Sequence, residues 1–134
     1  MREFPETPKT RSGFSLRARL KSFVYAGRGL RWLIQDEHNA RVHLAASVIV
    51  VSIGLFLRIS LADWRWLILA IALVWLAEAF NTTIEELCDR ISPEFDIAIG
   101  RIKDLAAGGV LVASIAAMLI GAVTLLPPLL ARLH

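Results

Sequence analysis

The residues with the most chemistry to offer share one face of a single predicted helix. At about 100° per residue, Asn81, Thr82, Glu85 and Asp89 all fall within about 60° of Glu78. Glu78, Asn81, Glu85 and Asp89 thus form a polar stripe in an otherwise apolar stretch. Two carboxylates a turn or two apart suit two tasks. One can act as a general base towards a substrate hydroxyl. The other can hold a hard divalent cation such as Mg²⁺, which prefers oxygen ligands and tends to bridge to phosphates. Upstream, Asp36, Glu37, His38, Asn39 and Arg41 cluster before an apolar run, and Glu37 is a second candidate metal ligand. Downstream, Arg101, Lys103 and Asp104 precede another such run, and a lysine ammonium is a point charge suited to nucleotide phosphates.

Glu78 is the most informative of these. It precedes Asp89 by eleven residues, roughly 16 Å of helix. Glu86 and Asp89 need no special explanation at a helix end among headgroups. A carboxylate at membrane depth costs about 2.5–3.5 kcal/mol unless it is protonated, paired or bound to a cation. Other chemistries are absent. There is no GxxxxGK[ST] phosphate loop, and Gly27-Arg28-Gly29 is too short to be one. Cys88 has no second cysteine, and His38 and His43 fall on different helix faces, which argues against zinc.

The elements that must position these groups are membrane helices. Of 134 residues, 56% are apolar. With Gly counted in place of Tyr the share is roughly 61%, against about 45–50% for soluble domains. So short a chain cannot hide that much apolar surface in a soluble core. The composition equally excludes disorder. Residues 1–13 are polar and read as a flexible tail. A surface helix is predicted at about 14–35, where Leu16, Leu20, Phe23, Gly27, Leu30 and Ile34 share a face and Arg17, Lys21 and Arg28 fall on another. Such a helix can lie in the membrane interface. Spans are predicted at about 40–58, 63–89 and 104–130. The second needs a helix running from Asp63 to Asp89, and no Gly or Pro interrupts it. The third is expected to end near Pro127 and Pro128.

The 15 Lys and Arg residues set the orientation. With three spans, twelve fall on the side of the N-terminus and the 90–103 loop, and three on the other. The positive-inside rule puts the first side in the cytoplasm and Trp64 and Trp66 in the outer aromatic belt. The net charge of +3 therefore reports orientation and not a nucleic-acid partner.

The run Glu78-Ala79-Phe80-Asn81-Thr82-Thr83-Ile84-Glu85-Glu86-Leu87-Cys88-Asp89 resembles the prokaryotic integral-membrane diacylglycerol kinase family, which includes undecaprenol kinases. Tyr25 with Gly29-Leu30-Arg31, Glu37-His38-Asn39-Ala40-Arg41 and Arg101-Ile102-Lys103-Asp104 support the match, over about residues 20–125. The resemblance implies an all-α membrane protein, an interfacial helix plus three spans, assembled as a homotrimer with shared active sites. Residues 14–134 would form one membrane-embedded lipid kinase domain in the bacterial cytoplasmic (inner) membrane. It would move the γ-phosphoryl group of MgATP to a lipid alcohol. By position, Glu78 resembles the catalytic base and Asn81 a residue positioning the reacting groups. Glu37 and Glu85 resemble the Mg²⁺ ligands, and Tyr25, Glu94, Asp96, Lys103 and Asp104 the nucleotide site. Arg31, Arg41 and Asp89 would position substrate. Phe80 and Thr83 depart from the aliphatic and small residues expected there. His43 stands where enterobacterial diacylglycerol kinases carry a carboxylate, and the 37–44 run resembles the undecaprenol kinase branch. Diacylglycerol is the first expectation for the lipid and undecaprenol the alternative.

A different class, a non-catalytic membrane subunit with proton-handling carboxylates, needs polar groups through whole spans. Stretches 42–57 and 105–131 offer no ionisable group but His43, and the stripe occupies half of its helix. That asymmetry favours an interfacial site facing nucleotide.

Overall fold

The structure, a computed structural model, describes residues 15–94 and 96–133. The 1–13 tail expected from the sequence lies outside them. Four helices follow in order: α1 (Leu16–Asp36), α2 (His38–Leu57), α3 (Leu61–Ile91) and α4 (Ile97–Leu133). The last three are long and apolar enough to cross a membrane. The protein is all-helical, as its periodicities predict, and is an integral membrane protein.

The break between α1 and α2 is a single residue. Glu37 has extended backbone (φ −95°, ψ 125°), and its side chain makes no capping bond. The Arg41 guanidinium reaches back to donate to the Gln35 carbonyl at 2.8 Å, and Leu33 and Ala40 are buried at the junction. The face of α1 carrying Leu16, Leu20, Phe23 and Leu30 is exposed.

At the opposite end, α2 turns into α3 within three residues. Arg58 takes the left-handed conformation (φ 52°, ψ 48°). Its N–H donates to the Leu55 carbonyl, and the Ile59 N–H to that of Gly54, both at 3.2 Å. This is a Schellman closure, with arginine where glycine is usual. Ser60 then caps α3 reciprocally with Asp63. Trp64 folds back on α2: a Cβ added at Gly54 would stand 3.0 Å from its Cη2 and 3.2 Å from the Ile59 Cδ1. Of the two tryptophans expected in the outer belt, Trp66 is exposed while Trp64 is half-buried. A leucine at Gly54 is expected to cost about 1–3 kcal/mol by overpacking. Thermal unfolding in detergent checks this, and an unchanged midpoint would contradict the close approach.

α3 packs mainly on α4. Its buried residues are Leu67, Ala70, Val74, Glu78, Asn81, Thr82 and Cys88, and from Leu67 to Asn81 they recur at three- and four-residue steps. Leu67 closes a core cluster with Leu57 and Leu125. α4 departs from expectation at both ends. It begins at Ile97, several residues early, because the Asp96 carboxylate caps it by accepting from the N–H groups of Ala98 (2.7 Å) and Ile99 (3.1 Å). It also runs through Pro127 and Pro128 to Leu133. The two prolines remove N–H donors, but tertiary contacts hold the last turns. Leu125 sits in the core, and the Arg132 guanidinium lies 4.9 Å over the Phe56 ring. Prolines are tolerated in membrane helices that are packed in this way.

At 1.5 Å per residue, α3 and α4 measure roughly 46 and 55 Å, against about 30 Å of hydrocarbon. The surplus of both is polar at their mutual connection. The start of α2, the end of α3 and the start of α4 therefore meet at one end of the bundle.

Candidate active site

Most of the residues singled out by spacing come together at that end. Glu78 is only 1% exposed, because it occupies a core position in the α3 stripe. The His43 imidazole on α2 lies within ion-pairing range, with Nε2 3.6 Å from Glu78 Oε2. Among the described residues, Oε2 has no hydrogen-bond partner. One turn further, buried Asn81 donates from Nδ2 to Glu85 Oε1 at 3.0 Å, and its Oδ1 is likewise unpartnered. Glu85 is half-buried. Both it and Glu37 lie within electrostatic range of Glu78. A turn beyond, exposed Asp89 pairs with Lys103 of α4, Oδ1 to Nζ, at 2.6 Å. The stripe is thus a graded column, buried at Glu78 and open at Asp89.

The open end borders a cleft of about 290 Å³ lined by Asp89, Ser92, Glu94, Asp96, Gly100 and Lys103, among others. Three of the five residues expected to hold nucleotide, Glu94, Asp96 and Lys103, meet there. Asp104 is exposed and does not line it. The carboxylate of Asp96 already caps α4. Tyr25 is exposed on α1 with the Arg28 guanidinium 5.9 Å over its ring. Among the described residues, neither Tyr25 nor Arg31 has a hydrogen bond or ion pair to the column. Arg41 ties α2 to α1 instead.

Spacing alone missed two features. His43 was visible only as an isolated histidine in an apolar run. Ser92 and Gly100 enter the cleft because the connection between α3 and α4 is short.

Among the described residues, no group of three or more His, Cys, Asp and Glu side chains could hold a metal ion. A preformed protein cage is thereby absent among the described residues. Mg²⁺ characteristically uses one or two carboxylates and takes its remaining ligands from water and phosphates. Glu37 and Glu85 fit that smaller demand.

Fold and site together define a class: an integral membrane helical protein whose reactive groups gather at one end of the bundle. The family follows from comparison with known proteins. The prokaryotic diacylglycerol kinase family matches residues 24–125. Undecaprenol kinase of Bacillus subtilis is 35% identical over 109 residues, covering 81% of this chain and 89% of that protein. Diacylglycerol kinase of Synechocystis sp. is 36% identical over 112 residues, 83% of this chain and 64% of that protein. The diacylglycerol kinase of Escherichia coli K12 is 32% identical over 100 residues, 75% and 82% respectively. The chain belongs to the prokaryotic diacylglycerol kinase family, and it is a lipid kinase.

Proposed function

We propose that the protein transfers the γ-phosphoryl group of MgATP to the hydroxyl of a membrane lipid, converting diacylglycerol to phosphatidic acid. The observation that carries this reading is Glu78, a buried carboxylate with an unpartnered oxygen at the closed end of a polar column. Glu78 accepts the hydroxyl proton, the lipid oxygen attacks the γ-phosphorus, and ADP departs. Such transfers need mainly positioning and charge stabilisation. Asn81 positions the reacting groups while its amide holds Glu85. Lys103, with Glu94, Asp96, Asp104 and Tyr25, binds the nucleotide, and Arg31, Arg41 and Asp89 position substrate. Glu37 and Glu85 would hold Mg²⁺, which neutralises phosphate charge when bound.

The same reading places residues 14–134, one domain, in the bacterial inner membrane with the N-terminus cytoplasmic. The excess of Lys and Arg on that side supports it. The exposed apolar face of α1, opposite Arg17, Lys21 and Arg28, suits an interfacial helix. A homotrimer with shared sites accords with the unsatisfied Glu78 and Asn81 oxygens and with a donor set incomplete in one protomer.

Undecaprenol is the second reading for the lipid. It is favoured by the 37–44 run, in which His43 faces Glu78. Detergent-solubilised protein with γ-labelled ATP, offered both lipids side by side, tests the assignment. Label is expected on diacylglycerol. Faster labelling of undecaprenol would reassign the lipid, and label on neither would overturn the reading.

A further inference from the structure

His43 has no role in the transfer just described, yet it is the one described side chain within ion-pairing range of Glu78. Its setting is constructed. The Ser47 hydroxyl donates to the His43 carbonyl at 2.7 Å and accepts from Trp75 Nε1 at 3.2 Å. Trp75 lies three residues before Glu78 on α3. His43, Ser47, Trp75 and Glu78 therefore close a ring of contacts between α2 and α3, which fixes the depth of the imidazole against the carboxylate.

Every other ionisable group in range of Glu78 has its own sign. Glu37, at the break before α2, and Glu85 on α3 are carboxylates, and the Asn81 amide is committed to Glu85. On α4 the residues facing the groove beside His43 are Ser114, Ala117, Met118, Gly121 and Leu125, none ionisable. A carboxylate left to rotate there would present either oxygen to the substrate. The geometry points to His43 as the positioning residue of the base: its Nε2–H holds Glu78 Oε2 and leaves Oε1 to receive the hydroxyl proton. The observed 3.6 Å must close by about 0.5 Å to become a hydrogen bond. Such bonds are commonly long without substrate and tighten with it.

The inference rests on Glu78 as the base, and the test separates the two. Four variants are compared with wild type in detergent: His43→Leu, His43→Gln, Glu78→Gln and the double variant His43→Leu/Glu78→Gln. Each is checked for assembly and thermal unfolding. His43→Leu is expected to lower kcat about 10–100-fold, the scale for losing an orienting partner, with KM for MgATP within about twofold. His43→Gln, whose amide N–H can replace Nε2–H, should recover most of that loss. The double variant should be no slower than Glu78→Gln, because residues acting as a unit are not additive. Wild-type kcat in His43→Leu, or equal impairment of the Leu and Gln variants, overturns the role of His43. If His43→Leu does not assemble, His43→Asn replaces it: its donor is too short to reach, so kcat equal to the Gln variant overturns the proposal. Full turnover in Glu78→Gln would instead remove the base itself.

Discussion

Replacing Glu78 by glutamine is expected to lower turnover by at least about 100-fold, the scale for losing a general base, and to leave MgATP binding nearly intact. The substitution keeps the shape of the side chain and removes its proton affinity. The cleft lined by Asp89, Glu94, Asp96 and Lys103, where the nucleotide is proposed to bind, begins about three helical turns along α3 from Glu78. Binding there therefore has no direct dependence on the carboxylate. Stability should not fall either. A carboxylate 1% exposed within a span is costly to bury as a charge, and a neutral amide relieves that cost. Loss of kcat with an unchanged or higher unfolding temperature and unchanged KM for MgATP is thus the expected signature. It is distinct from misfolding, which lowers all three measures of competence together. Wild-type turnover in this variant would exclude Glu78 as the base.

The same residue shows what spacing could reveal. The steps from Leu67 through Ala70, Val74 and Glu78 to Asn81 are those of a buried helix face, so helical periodicity alone places Glu78 in the core. The column as far as Asp89 follows from one helix, and no tertiary knowledge is needed. Its partners are another matter. His43 meets Glu78 only because α2 and α3 are held in register by Trp75 and Ser47, a contact between residues 28 apart with no local signature. Lys103 meets Asp89 only because α4 starts early, under the Asp96 cap. The sequence 97–104 mixes apolar and charged residues and has no clear edge, whereas an acidic residue before an apolar run is an N-cap signal that was available. Pro127 and Pro128 misled for a physical reason. Local backbone preference ends a helix there, and the packing of Leu125 and Arg132 overrides it. The groups on α1 depend on where that helix rests. Tyr25 and Arg31 form no hydrogen bond or ion pair with the column among the described residues. The expected roles of Tyr25 towards nucleotide and of Arg31 towards substrate are therefore not expressed in any bond to the column.

Glu85→Ala should raise the Mg²⁺ concentration needed for half-maximal activity by about 10–100-fold, with turnover partly restored at high Mg²⁺. The described residues offer too few donors for a closed metal cage. With Mg²⁺ characteristically relying on one or two carboxylates, removal of Glu85 would take away about half of the share proposed for the protein. A competing account must be separated. Glu85 Oε1 accepts from Asn81 Nδ2, so the alanine variant also frees an amide whose Oδ1 already lacks a partner. If Glu85 mattered only through Asn81, then Asn81→Ala would reproduce its phenotype, and neither variant would change the Mg²⁺ titration. If Glu85 ligates the metal, the two variants diverge. Asn81→Ala lowers kcat at every Mg²⁺ concentration, while Glu85→Ala shifts the titration midpoint. Glu37→Ala should then shift it in the same direction, since Glu37 makes no capping bond that would compete for its carboxylate. An unchanged Mg²⁺ titration in Glu85→Ala would remove it as a ligand and leave its bond to Asn81 as its contribution to the site.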